Sequence, residues 1–355
     1  MKRIGLLLAG LLVASCTLPA STGCSGEQTS TKLVVFEAGS LLVPFEAIEK
    51  AFESKYPHID VLMEGHGSIQ VIRHVTEIHD DIDVVAVADY SLIPLLMYPT
   101  LLPNTTESYA DWTIQFAGNR LGIAYTDDSL YSDEIDAGNW FEILNREEVR
   151  LGLADPRLDA VGYRTLMIAQ LAEAYYDDNT IFENLFTFNL TGPVRSLDEG
   201  NGFNIVVPEL IEARTRHIAL RGFSVQLLSL LEAGQIDYAF EYESVAEQHG
   251  LNFLALPPEI DFSREEFQDL YSTVKVTLDF RRFASVTPVF LGEPIFYGIT
   301  IPASASHPDE AALFIEFLLS AEGQAIMNEH SHPPLIPPRC DNPASLPDDL
   351  KNLFR

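Results

Sequence analysis

One arrangement occurs twice within about forty residues near the start of this chain, and it narrows the available folds more than any other feature. An apolar run at 33–36 ends at Gly39-Ser40 and gives way to Leu41, Phe45, Ile48 and Phe52 at helical spacing, stopping before Pro57. A second run at 59–63 leads into Gly65-His66-Gly67-Ser68, followed by Ile69, Ile72, Val75 and Ile78 at the same spacing. Strand, Gly-Ser turn and helix, repeated in that order, is the grammar of a parallel α/β layer. In such layers ligands sit at the edge where the strands end.

The alternation continues along the chain. Strand patterns fall at 83–88, 121–125, 150–154, 237–242, 252–256 and 295–301, and helical patterns at 164–176, 224–233, 244–249, 309–319 and 321–329. With 355 residues, 47% of them apolar, about two domains with true cores are expected, and two lobes suit so many strands better than one sheet. No repeat at a solenoid period is visible.

Before the first strand, Met1-Lys2-Arg3 and the apolar run at 4–13 form the basic and hydrophobic regions of a secretory signal, too short for a permanent membrane span. Val13-Ala14-Ser15-Cys16 resembles a bacterial lipobox, so 1–15 is read as a signal peptide and Cys16 as a lipidated N-terminus anchoring the exported protein to the membrane. Cys24 is the poorer candidate, being preceded by Ser21-Thr22-Gly23 well beyond the apolar run. The segment 16–31, rich in Ser, Thr and Gly, reads as a tether. Besides Cys16 only Cys24 and Cys340 occur, so no disulfide framework is visible and a single bridge between them stays open.

Fifty-two acidic against 22 basic residues give a net charge of −30, which argues against nucleic acid or an anionic membrane surface as partner. Only six residues are Lys, a balance that fits a saline habitat or simply a well-solvated surface. In concentrated salt, screening within roughly 3 Å leaves an anionic ligand open.

Ser40 and Ser68 each end a strand and open a helix, offering a hydroxyl and backbone N–H groups at the positive end of a helix dipole. Alone, either serine reads as a cap. Two on one sheet edge make a neutral-donor anion site an equally good reading. Catalytic candidates are thin. His74 and His79 are five apart, not the four of the helical zinc motif, so with His66 they make a poor metal set, and His330-Ser331-His332 is expected at the surface. Tyr175-Tyr176 is similar to the paired tyrosines of ferric-binding proteins, but its spacing from Leu166, Ala169 and Ala172 suits helix packing. A sensor or signalling module is not distinguished by these features.

A wider set of motifs carries a resemblance. Phe36-Glu37-Ala38-Gly39-Ser40-Leu41, Gly67-Ser68 with Ile72-Arg73, Ala88-Asp89-Tyr90, Asp111-Trp112-Thr113 and Gly162-Tyr163-Arg164 are joined by later ones. These are Ile236-Asp237-Tyr238 with Tyr242, Ser244-Val245-Ala246, Tyr297-Gly298-Ile299-Thr300-Ile301-Pro302 and Pro337-Pro338-Arg339. In order and over nearly the whole mature chain, they resemble the molybdate/tungstate-binding proteins of ABC importers, nearest the archaeal-type branch.

The resemblance implies a type II two-lobed periplasmic-binding fold, each lobe a mixed sheet flanked by helices, with the ligand cleft between the lobes. Such a protein is a monomer, not an enzyme. It needs no cofactor, takes molybdate or tungstate as ligand, and delivers it to an ABC permease; sulfate-like anions and ferric iron are the alternatives. Lobe one would comprise 32–117 plus 292–355 and lobe two 118–291, with hinge strands near 121–125 and 295–301. Carried over by motif, the oxyanion contacts are Ser40 and Ser68 in the first lobe and the 158–163 loop, Ser224 and Tyr242 in the second. Val161, just before a glycine, would offer its N–H. Asp159 would bond the metal of the oxyanion. A second acid of the archaeal-type branch matches Ser224, so octahedral coordination is not expected here.

Overall fold

A computed structural model describes residues 30–279 and 288–354. The signal peptide, Cys16, Cys24 and nearly all of the tether lie outside the described residues; the first strand already begins at Thr31, inside the segment read as tether.

The first lobe is built on a six-stranded sheet in the order Pro334–Cys340, Ile114–Gly118, Phe296–Thr300, Val84–Val87, Thr31–Ala38, Ile59–His66. The last three are mutually parallel, while Phe296–Thr300 runs antiparallel to both its neighbours. Helix Leu42–Lys55 buries Pro44, Phe45, Ile48 and Phe52, and Phe45 and Phe52 meet Phe314 of helix Pro308–Leu319 at ring distances of 6.0 and 5.4 Å. Each such ring taken from water contributes roughly 1.5–3 kcal/mol. Helix Pro308–Leu319 is thereby tied to helix Leu42–Lys55.

The second lobe holds a five-stranded sheet in the order Ile218–Arg221, Leu151–Ala154, Tyr238–Tyr242, Leu121–Tyr125, Asn252–Leu254. Its first three strands are parallel and its last two pairings antiparallel. A four-stranded sheet, Val289–Leu291, Val274–Leu278, Phe203–Val207, Arg195–Asp198, was not legible in the sequence, because Arg195–Asp198 carries no buried residue and Val289–Leu291 buries only Phe290. Helix Ala160–Tyr176 packs against strands of both sheets, which is why every residue from Ala160 to Ala172 is buried and no amphipathic stripe shows. The chain passes from the first sheet to the second through Asn119-Arg120 and returns through 292–295, so the two expected hinge strands are sheet members and the crossings lie just outside them.

Several local expectations are corrected. Ser40 is not a helix cap but sits inside a 3₁₀ turn, Gly39–Leu41, before the α-helix begins at Leu42. The second strand runs through Gly65-His66, leaving Gly67 as N-cap and Ser68 as the first helical residue. That helix widens into a π turn, His74–Ile78, which rotates the expected apolar face and leaves Ile78 55% exposed. Helix Ala160–Tyr176 starts four residues before 164, because the Asp159 side chain caps it. His332, expected at the surface, is fully buried; its Nε2 lies 3.3 Å from Ser244 Oγ, and burial pushes its pKa down to about 4. Cys340 is a half-buried free thiol pushed up to about 11 by burial.

Candidate functional site

Topology decides which residues meet. In the first sheet three parallel strands end at Ala38, His66 and Val87, so the residues that follow them, Ser40, Ser68 and Asp89, share one edge. In the five-stranded sheet three parallel strands end at Ala154, Arg221 and Tyr242, which places the 155–159 loop, Ser224 and Tyr242 on one edge as well. These two edges face each other. Ile69 N–H donates to the Leu158 carbonyl at 3.1 Å, and Arg164 Nη1 donates to the Ala88 carbonyl at 2.8 Å. The contact is close enough that a Cβ on Gly67 would lie 2.5 Å from the Leu158 oxygen and 3.3 Å from Asp159 Oδ2. A glycine is required there for the edges to meet.

All six expected contacts, Ser40, Ser68, Asp159, Val161, Ser224 and Tyr242, are buried at this junction, none more than 7% exposed. Three hydroxyls among them are held in one role. Ser68 Oγ accepts the Ala88 N–H at 3.0 Å, and the Tyr242 oxygen accepts from Arg164 Nη1 at 2.8 Å. Ser40 Oγ accepts from the Tyr297 hydroxyl at 2.9 Å, itself an acceptor from Asn119 Nδ2 at 3.0 Å. Each hydroxyl therefore has one lone pair engaged and keeps its own hydrogen for another acceptor. Burial holds the Tyr242 phenol well above its ordinary pKa, so that hydrogen stays in place.

The second-lobe loop differs in detail from expectation. Val161 N–H donates to Asp159 Oδ1 at 2.7 Å, so in this arrangement it serves the helix cap. Burial pushes Asp159 up to about 6, opposed by the Val161, Ser224 and Gly162 amides and by Arg164. Ser224 does not cap its helix; its hydroxyl donates to Glu241 Oε1 at 3.1 Å.

Arg164 belongs to the Gly162-Tyr163-Arg164 motif but is not among the expected contacts. Its Nη2 lies 3.2 Å from Asp89 Oδ2, and Tyr163 donates to the same oxygen. A charged residue inside a long apolar helical run is the signal that marks it in the sequence. Glu241 likewise escaped assignment, as did Asn119 and Tyr297.

The discounted groups are placed elsewhere. His66 and His74 do stack, 4.5 Å between ring centroids, each on its own acid, Glu64 and Asp80, whereas His79 turns away to Tyr109. Tyr176 is engaged by Trp140 Nε1 at 3.2 Å and donates to the Ala137 carbonyl, while Tyr175 is 46% exposed. The tyrosine pair is helix packing.

Two mixed α/β lobes whose facing edges bury polar donors define a two-lobed solute-binding protein. Residues 33–330 match the family of bacterial extracellular solute-binding proteins, and the chain belongs to it. An uncharacterized solute-binding protein of Methanoculleus marisnigri is 39% identical over 97% of this chain and 96% of its own length. The molybdate/tungstate-binding protein WtpA of Thermococcus kodakarensis is 35% identical over 99% of this chain and 97% of its own. The fold is shared with the periplasmic molybdate-binding protein of Azotobacter vinelandii, with a TM-score of 0.52 at 14% identity over 84% of this chain and 98% of that one. No helix among the described residues is long and apolar enough to cross a membrane.

Proposed function

We propose that this protein captures molybdate or tungstate outside the cytoplasmic membrane and delivers it to an ABC permease. The observation that carries the reading is the set of three buried hydroxyls, on Ser40, Ser68 and Tyr242, each fixed as an acceptor by a protein donor and so left to donate to an anion. Neutral donors bind a dianion without a compensating countercharge, as helix-terminus sites do. The WtpA name of a full-length relative supports the choice of oxyanion.

In this reading Ser40, Ser68, Val161, Ser224 and Tyr242 contact the oxyanion, and the Val161 amide is shared between it and the Asp159 cap. Asp159 bonds the metal through the oxygen that does not cap the helix. Lobe one comprises 32–117 plus 292–355 and lobe two 118–291, the protein acts as a monomer without catalysing a reaction, and cleavage after 15 leaves Cys16 lipidated and anchored to the membrane.

A second reading, a sulfate-like anion, is favoured by one observation: Ser224 supplies no carboxylate, so a metal centre is not demanded by the donor set. Titration with molybdate, tungstate and sulfate, followed by thermal melting, decides between them. At a hundred times its dissociation constant the true ligand should stabilise the fold by about 2.7 kcal/mol. A shift with sulfate alone would select the second reading, and none with any anion would overturn both.

A further inference from the structure

We propose that Glu241 is a proton-bearing contact of the bound oxyanion, its Oε2 donating a hydrogen to a ligand oxygen beside Ser224. The inference rests on the anion-binding reading above and names a residue that reading does not use.

Glu241 lies at the ligand edge of strand Tyr238–Tyr242 and is 1% exposed. Its two oxygens are unequal. Oε1 accepts the Ser224 hydroxyl at 3.1 Å and the Tyr242 N–H at 2.8 Å, whereas Oε2 is buried with no hydrogen-bond partner among the described residues. A native protein rarely orphans a buried polar oxygen, and such an atom calls for a partner. Because Oε1 already accepts twice, the hydrogen of a neutral Glu241 resides on Oε2, the oxygen without a partner.

The surroundings favour the neutral form. Asp159 faces Glu241 from the start of helix Ala160–Tyr176, and the two acids flank Ser224, whose amide faces one and whose hydroxyl bonds the other. Tyr297, from the first lobe, lies within electrostatic reach, and the Arg164 guanidinium is paired with Asp89 and bonded to the Tyr242 hydroxyl. Burial pushes Glu241 up to about 8, with Asp159 adding to the shift. A dianion placed here pushes it higher still, so binding draws a proton onto Glu241 from solution.

The test is calorimetric titration of the full chain with molybdate in two buffers of different ionisation enthalpy, at about pH 7 and about pH 9, a range in which molybdate itself does not titrate. At the higher pH binding should take up roughly one proton per ligand, and affinity should fall by about tenfold per pH unit above Glu241's value. Glu241→Gln, which keeps a hydrogen donor in the place of Oε2, should abolish that uptake and flatten the upper limb. Any limb near the Asp159 value should persist in both proteins. Binding by the wild type without uptake near pH 9, or uptake undiminished in the variant, overturns the inference and leaves the anion reading standing. Failure of the wild type to bind either anion overturns both. Should the variant not fold, the uptake measured on the wild type still decides.

Discussion

Arg164 and Asp89 form an ion pair across the two lobes, Nη2 to Oδ2 at 3.2 Å, with both side chains 3% exposed. Arg164 projects from the helix that follows the second lobe's ligand loop, and Asp89 follows the strand Val84–Val87 of the first. The same guanidinium holds the Ala88 carbonyl and the Tyr242 hydroxyl. Arg164 thus joins the facing edges and also orients one of the hydroxyls proposed to bind the oxyanion.

Breaking the pair from one side leaves an uncompensated buried charge, a loss of about 3–5 kcal/mol. Asp89→Asn should lower the melting temperature and weaken oxyanion binding together, since Arg164 also orients Tyr242. A variant with unchanged melting temperature and affinity would show that the lobes are held together by other contacts.

Gly67 has φ −65° and ψ 141°, angles that alanine adopts without strain, yet its Cβ would strike the Leu158 carbonyl of the opposite lobe. Gly67→Ala should therefore fold normally, with a melting temperature close to the wild type, and fail to close. Small-angle scattering should record a larger radius of gyration that added molybdate no longer reduces.

In the proposed site Ser40→Ala and Ser68→Ala each remove one hydrogen bond to the charged ligand, worth about 1.5–3 kcal/mol, or roughly tenfold to more than a hundredfold in affinity. Each also costs the fold. Ser68→Ala strands the buried Ala88 N–H and Ser40→Ala the buried Tyr297 hydroxyl, a stability loss of about 1–3 kcal/mol apiece. Melting temperatures equal to that of the wild type in both variants would refute it.

Glu37 is fully buried in the first strand, and burial pushes it up to about 8 from 4.5, opposed by the Glu64 backbone amide. A carboxyl raised in the folded state binds more protons folded than unfolded, so its contribution to stability is present below 4.5 and is lost as pH rises towards 8. Glu37→Gln should remove that dependence and melt higher than the wild type near the upper end of the window. Melting curves of the two proteins that run parallel with pH would contradict this.

In the proposed site one acid, Asp159, bonds the metal and Ser224 stands where a second would, so bound molybdate should be tetrahedral or at most five-coordinate. X-ray absorption at the metal edge tests it. A six-coordinate spectrum in the unmutated protein would mean that another carboxylate, Glu241 being adjacent, bonds the metal.

The sequence by itself determined the parallel βα units and the residues that close them, because strand and helix periodicity and the Gly-Ser turns are local properties of the chain. Ser40 and Ser68 were marked as a candidate anion site for that reason, while Asp159, Val161, Ser224 and Tyr242 came through motif resemblance. Only the tertiary structure decided which donor serves which acceptor. The Val161 N–H donates to the Asp159 cap, the Ser224 hydroxyl to Glu241, and Arg164 to a carbonyl 76 residues away. The four-stranded sheet and the burial of His332 were equally beyond local reading, since both depend on pairings made at long range. Periodicity records which face of an element is apolar; it carries no record of which buried polar group that face will meet, and at this junction that pairing sets which hydrogens remain for the ligand.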